Sequence, residues 1–127
     1  MKLLPLSLWL ITALPAIACP LPAPAVQQGA TQAAWKVENA PIAVGKHFAL
    51  EVQVCPADAV LTRVDASMPE HKHGMNYRPS IQRVGDGKEG RWRAEGMMFH
   101  MPGRWELRLD VQVGGRTEKL IDTVVMP

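Results

Sequence analysis

The sequence has little excess of charge of either sign. Its 14 Lys and Arg residues stand against 12 Asp and Glu residues, a formal net charge of +2 at pH 7. Nucleic acids and anionic membranes are usually bound through clustered positive charge. This near balance therefore argues against both, and we expect no nucleic-acid partner.

Sequence signatures of enzymes are missing as well. Ser67 and Ser80 do not lie in a G-x-S-x-G nucleophile motif, and no glycine-rich loop has the spacing that binds phosphate. The carboxylates, such as Asp65, Glu70 and Glu95, show no paired spacing that indicates acid–base catalysis. We predict that the protein is not an enzyme.

Long hydrophobic runs occur only at the N-terminus. Lys2 precedes an apolar stretch from Leu3 to Ala16, and Ala16-Ile17-Ala18 has the small-x-small pattern of a signal-peptidase site. The stretch is shorter than the ~20 residues of a membrane-spanning helix, and no later stretch approaches that length. We predict a cleavable signal peptide over residues 1–18, a periplasmic location and no membrane span in the mature form. An uncleaved anchor is the alternative.

Cysteine is scarce, with only Cys19 and Cys55 in the chain. An even number of cysteines in an oxidising compartment predicts a disulfide, which would join the mature N-terminus to a strand. Because Cys19 directly follows the predicted cleavage site, lipoprotein anchoring through Cys19 is the alternative. Pro15 and Ala16 make a poor lipobox, so we favour the disulfide.

Removal of residues 1–18 leaves 109 of the 127 residues, enough for one domain but not for two. Residues 19–33 are rich in Pro, Ala and Gln and lack a period, which predicts an extended N-terminal segment before a domain over residues 34–127. Within that domain, apolar and polar residues alternate with the period of a strand, most clearly over residues 104–113.

Turn signals such as Gly85-Asp86-Gly87 and Gly114-Gly115 separate the alternating segments. The pattern predicts an all-β protein, an immunoglobulin-like β-sandwich of about seven strands, with a small open barrel as the alternative. The seven predicted strands cover residues 34–38, 46–55, 60–68, 79–84, 90–99, 104–113 and 116–125.

Histidine and methionine are distributed very unevenly. Three of the four His and five of the six Met that follow the predicted signal peptide lie between residues 68 and 101. They form two clusters, Met68–Met75 and Met97–Met101. If the strands run alternately up and down, both clusters lie at the same end of the sandwich, and His47 lies near that end too.

Thioether sulfur is a poor ligand for hard cations and a good one for Cu(I), whereas imidazole serves copper and zinc. The His/Met clusters therefore predict a copper ion as the cofactor, with zinc as the second choice. We expect Gly74 to bend and swing Met75 towards the histidines, and Pro102-Gly103 to form a tight type II turn. The predicted ligands are His71, His73, Met75, His100 and Met101, with Met68 in reserve.

Each cluster residue also has an ordinary structural interpretation. Met68, Met97 and Met98 are suited to filling a core. One residue of the adjacent pair Met97 and Met98 must point inward in a regular strand, so at most one of them is a free ligand. His71 and His73 are also typical of a solvated loop.

The two clusters carry a family resemblance. M-P-x-H-x-H-G from Met68 to Gly74, followed by F-x-M-P-G-x-W-x-L from Phe99 to Leu107, resembles the YtkA-like domain family. The resemblance implies an exported immunoglobulin-like domain, similar to FixH-type accessory proteins linked to copper-oxidase assembly and to parts of metal-efflux systems. The residues that it singles out are Met68, His71, His73, Gly74, Met101, Pro102, Gly103 and Trp105.

The chain departs from that family in two ways. It has additional Met75, Met97, Met98 and His100, which strengthens a soft-metal interpretation, and it lacks the membrane anchor of FixH-type proteins. The first hypothesis is a periplasmic metal-binding protein for copper delivery, transport or tolerance, whose partner is a copper-handling or efflux/oxidase-assembly protein. The alternative is a protein-interaction or assembly module of the cell envelope that binds no metal.

Overall fold

A computed structural model describes residues 19, 21–22, 24–39 and 41–127, so the predicted signal peptide lies outside the described residues. The described chain is all-β and forms two antiparallel sheets with nine strands. It contains no helix that is long and apolar enough to cross a membrane. The predicted all-β sandwich is confirmed, while its immunoglobulin-like topology stays a prediction.

The first sheet has five strands in the order β1-β2-β3-β7-β6, and the second has four in the order β5-β4-β8-β9. The strands are β1 (Ala25–Gln28), β2 (Thr31–Val37), β3 (His47–Cys55), β4 (Val60–Met68), β5 (His73–Gly74), β6 (Ser80–Arg83), β7 (Arg91–Met98), β8 (Gly103–Val113) and β9 (Arg116–Met126).

The sequence predicted seven strands, and two of the nine were missed. β1 lies in the segment predicted to be extended outside the domain, and β2 begins at Thr31, inside that same segment. Thr31 and Ala33 are 1% and 0% exposed, so the core reaches further towards the N-terminus than the alternation indicated. β1 and β5 are too short and too polar to show a two-residue period.

The core lies between the two sheets and follows the alternation of the strands. Trp105, Leu107, Leu109 and Val111 of β8 are each at most 1% exposed. Phe99 stacks on Trp105 with ring centroids 4.7 Å apart. Burying an apolar side chain of this size contributes about 1.5–3 kcal/mol, so these residues account for much of the attraction between the sheets.

A disulfide joins Cys19 to Cys55 at the end of β3, as predicted, with the two Cα atoms 5.8 Å apart. The bond closes a loop across a sequence separation of 36 residues. It therefore fixes the segment before β1 to the end of the domain opposite the start of β3.

Replacing both Cys19 and Cys55 with Ser should lower the free energy of unfolding by about 2–4 kcal/mol, because the unfolded chain regains the entropy of the open loop. Urea unfolding followed by tryptophan fluorescence measures this loss. Adding a reductant to the natural chain should reproduce it and should leave the double variant unchanged. Equal stability of the two proteins without reductant would contradict the prediction.

Candidate functional site

The first His/Met cluster folds as a β-hairpin. β4 ends at Met68 and β5 begins at His73, and these two residues are directly opposed. The backbone N–H of His71 donates to the carbonyl of Met68 at 3.2 Å, and Lys72 adopts a left-handed φ of 52°. The hairpin turn therefore presents His71 at its tip and His73 where the strand resumes.

The second cluster is held by hydrogen bonds on both sides. The indole Nε1–H of Trp105 donates to the carbonyl of Met101 at 3.0 Å. The backbone N–H of Gly45 donates to the carbonyl of Phe99 at 2.8 Å. His100 lies between these two fixed carbonyls, so its backbone position is determined by the core beneath it.

A close contact joins the two clusters below the histidines. A Cβ atom added to Gly103, whose φ is 122°, would lie 2.7 Å from Cε of Met68. Met68 is 1% exposed and belongs to the core, so its thioether packs under the site and does not face it. The structure thus gives Met68 and Gly103 a packing role, although the sequence held Met68 as a reserve ligand.

Three histidines converge above this contact. The ring centroids of His71 and His73 are 6.5 Å apart, and those of His73 and His100 are 6.1 Å apart. His71 and His73 are exposed and His100 is half-buried. The β4–β5 hairpin and the connection from β7 to β8 therefore meet at one end of the sandwich, as the alternating strand directions predicted.

The distances between the imidazole rings can be compared with those of imidazoles that bind one metal ion. With metal–nitrogen bonds of about 2 Å, the centroids of two imidazoles on one ion lie about 5 Å apart in tetrahedral geometry and about 6 Å apart in linear geometry. Both observed separations, 6.1 and 6.5 Å, are close to the linear limit. Three imidazoles on one ion have centroids only about 5.5 Å apart in trigonal geometry, so the histidine side chains would have to move closer together to share an ion.

The site is not a preformed cage. Among the residues that the structure describes, no group of three or more His, Cys, Asp or Glu side chains is arranged to hold a metal ion. Met101 follows His100 in the turn; it is half-buried and, like Met75, packs against the core, so its thioether would have to turn outward to bind an ion. Imidazole nitrogen with one thioether sulfur is a donor set that favours copper, above all Cu(I).

The other predicted methionine ligand is placed differently. Gly74 does not bend the chain, because it lies within β5 opposite Ser67. Met75 continues along β4, with its N–H donating to the carbonyl of Ala66 at 3.1 Å, and its side chain packs against the core. The expected swing of Met75 towards the histidines is therefore wrong, since pairing with β4 holds the segment extended.

Met97 and Met98, the adjacent methionines of β7, point to opposite faces of the strand, as its alternation requires. Met97 is fully buried at 0% exposed, while Met98 is half-buried on the other face of the strand. In the following turn, the sequence predicts that a type II turn at Pro102-Gly103 fixes where His100 and Met101 point. The structure shows a contact that the sequence did not indicate, the hydrogen bond from Trp105 to the carbonyl of Met101.

An ion pair also connects the hairpin tip to β8. The Nε–H of Arg104 donates to Oε1 of Glu70 at 3.1 Å, and its Nη1–H donates to Oε1 of Glu106 at 3.4 Å. The hydrogen bond to Glu70 is the main reason that the pKa of Arg104 is raised above its ordinary value. No sequence pattern indicated this pair, because its partners lie 34 positions apart.

No family model, no curated protein and no solved structure matches this chain. The resemblance to the YtkA-like domain family therefore stays a prediction that depends on the two sequence motifs.

Substituting Gly103 with Ala should destabilise the protein by about 2–5 kcal/mol, because it adds a strained φ and an overpacked contact with Met68. Gly114→Ala is the matched control, since Gly114 also has a positive φ of 59° but has no atom within 4 Å of an added Cβ. Urea unfolding should show a clearly smaller loss for the control, about 1–2 kcal/mol. Equal losses would show that the Met68 contact is unimportant.

Proposed function

We propose that this protein binds a soft metal ion, copper before zinc, through His71, His73 and His100 with Met101, and that it acts in copper delivery, transport or tolerance in the periplasm. The observation that carries the proposal is the convergence of three imidazoles from the β4–β5 hairpin and the β7–β8 connection, with centroid separations of 6.1 and 6.5 Å. On this proposal the protein binds and transfers an ion and catalyses no reaction.

Burial divides the residues of the two motifs into two groups. Met68 and Trp105 are at most 1% exposed and Gly103 is in contact with Met68, so packing explains these three. Packing does not explain His71 and His73, whose side chains are exposed at the rim. Ligand-type side chains that converge without a packing role are typical of a binding site.

The arrangement suits Cu(I) better than zinc. Structural zinc sites are closed and tetrahedral. Here the described residues form no closed cage, two of the three histidines are exposed, and the donor type that Met101 adds is soft. A carrier also benefits from an open site, because an exposed ion can pass directly to the ligands of a partner. The copper-handling or efflux/oxidase-assembly partner is part of the proposal.

The compartment follows from two features. The predicted signal peptide over residues 1–18 directs export, and the Cys19–Cys55 disulfide is typical of proteins in oxidising compartments. With both thiols in the disulfide, neither cysteine offers a thiolate ligand to the metal. Histidine and methionine then remain as the soft and borderline ligands of the site.

Titration of the mature protein with Cu(I), in competition with a chromophoric chelator, should show binding at the three histidines. The double variant His73→Ala/His100→Ala should bind at least about a hundredfold more weakly, since loss of outer-shell partners alone costs tenfold to hundredfold. Lys72→Asn is the control, because Asn tolerates the left-handed φ of Lys72 and the change removes no predicted ligand.

The copper proposal fails if the folded natural protein does not compete with the chelator. It also fails if the double variant binds Cu(I) as tightly as the Lys72→Asn control. Circular dichroism of each variant establishes folding. A parallel titration with Zn(II) decides whether zinc, the second choice, takes its place.

One observation favours the second candidate function, a protein-interaction or assembly module that binds no metal. Ile121 and Val125 are 53% and 70% exposed on β9, which stands at one end of the strand order of its sheet, beside β8. Exposed apolar residues on a strand edge are typical of contact surfaces.

The two functions can be separated in cells that depend on this protein for copper tolerance. The metal-binding function predicts that His73→Ala/His100→Ala abolishes tolerance. The interaction module predicts that tolerance survives that change and is lost in Ile121→Lys/Val125→Lys, which charges the edge without touching the histidines. Protein levels of both variants are measured alongside by immunoblot.

A further inference from the structure

A second His–Met pair lies at the same end of the sandwich, on the other sheet. His47 at the start of β3 is directly opposite Met98 at the end of β7. Directly opposed residues of antiparallel strands project from the same face. The neighbouring residues Phe48 and Met97 pack towards the core, so His47 and Met98 face outward, exposed and half-buried respectively.

A β-bulge creates this pairing. Ala49 is opposite Glu95, but Phe48 is opposite Met97, so Gly96 is the additional residue of β7 and has a φ of 90°. Without the bulge, His47 would be opposite Met97. The buried and exposed residues of β7 at this end would then no longer face the same sides of the sheet as the residues of β3 opposite them. Bulges are frequent beside functional sites, where they redirect side chains.

We propose that His47 and Met98 form a second position for a soft metal ion, separate from the three-histidine site. The Cβ atoms of directly opposed residues lie about 5 Å apart. Both side chains are long enough to reach one ion from that distance, with metal–nitrogen and metal–sulfur bonds of about 2.0–2.3 Å. The ring of Tyr77 packs edge-on against His47 at a centroid distance of 5.0 Å, which restricts the imidazole.

The donor set determines which ions fit. One imidazole and one thioether suit Cu(I) and its analogue Ag(I), and they offer little to Zn(II) or to hard cations. Glu95, the carboxylate on the same strand, is bound to Nη1 of Arg93 at 2.5 Å and so does not add a hard ligand. With two protein ligands, the second position should bind more weakly than the first.

The two positions are adjacent along the chain. Met98 and His100 flank buried Phe99, so ligands of the two sites stand on either side of one core residue. An ion released from His47 and Met98 would find another imidazole at His100, two residues along the chain from Met98. This path for ion transfer rests on the proposed function, whereas the second site itself does not.

The test is a titration of the mature protein with Ag(I), and with Cu(I) under anaerobic conditions without a thiol reductant, so that the Cys19–Cys55 disulfide stays closed, followed by native mass spectrometry. The ¹³C-methyl signals of methionine report which thioether binds. The natural protein should bind two equivalents, and the second should shift the Met98 methyl signal. His47→Ala/Met98→Leu should bind one equivalent, while Tyr77→Phe is the control that keeps the aromatic contact and should bind two.

The outcomes distinguish the two sites. If His73→Ala/His100→Ala still binds one equivalent and shifts the Met98 methyl signal, the second site stands and the three-histidine site accounts for the other ion. If the natural protein binds one equivalent without any shift at Met98, the second site is overturned and the proposed function is untouched. If His47→Ala/Met98→Leu still binds two equivalents, the proposal is likewise wrong.

Discussion

The end of the sandwich that carries the histidines depends on the contact between Met68 and Gly103. Met68 closes β4 inside the core, and Gly103 opens β8 where any Cβ would lie 2.7 Å from the Met68 methyl group. Trp105, two residues further on, holds the carbonyl of Met101. Because these three residues fix the ends of β4 and β8, the hairpin with His71 and His73 and the turn with His100 are placed side by side.

This arrangement separates the support of the site from its ligands. The supporting residues are buried and set the backbone, while His71 and His73 are exposed and half-buried His100 packs edge-on against Trp105. Exposed side chains can rotate by the small distances that a shared ion requires, and the backbone beneath them need not move. An open site on a rigid support is suited to an ion that must be both taken up and released.

On the opposite sheet, too, a feature of the backbone decides which side chains face outward. There the bulge at Gly96 decides that Met98, and not Met97, is opposite His47. The bulge also determines the core, because Met97 points into the interior and is 0% exposed. One additional residue thus places one methionine in the core and its neighbour among the outward-facing ligand-type side chains.

The sequence by itself determined the all-β class, the strands with clear alternation, the disulfide and the meeting of the two His/Met clusters. Each of these depends on local periodicity, on a count, or on strand direction, which are properties of the chain alone. Only the tertiary structure decided that Met68 supports the site, that Met75 remains in a strand, and that Glu70 pairs with Arg104. Those outcomes depend on which residues meet across sheets and turns, and a bulge or a close contact leaves no periodic signal in the sequence.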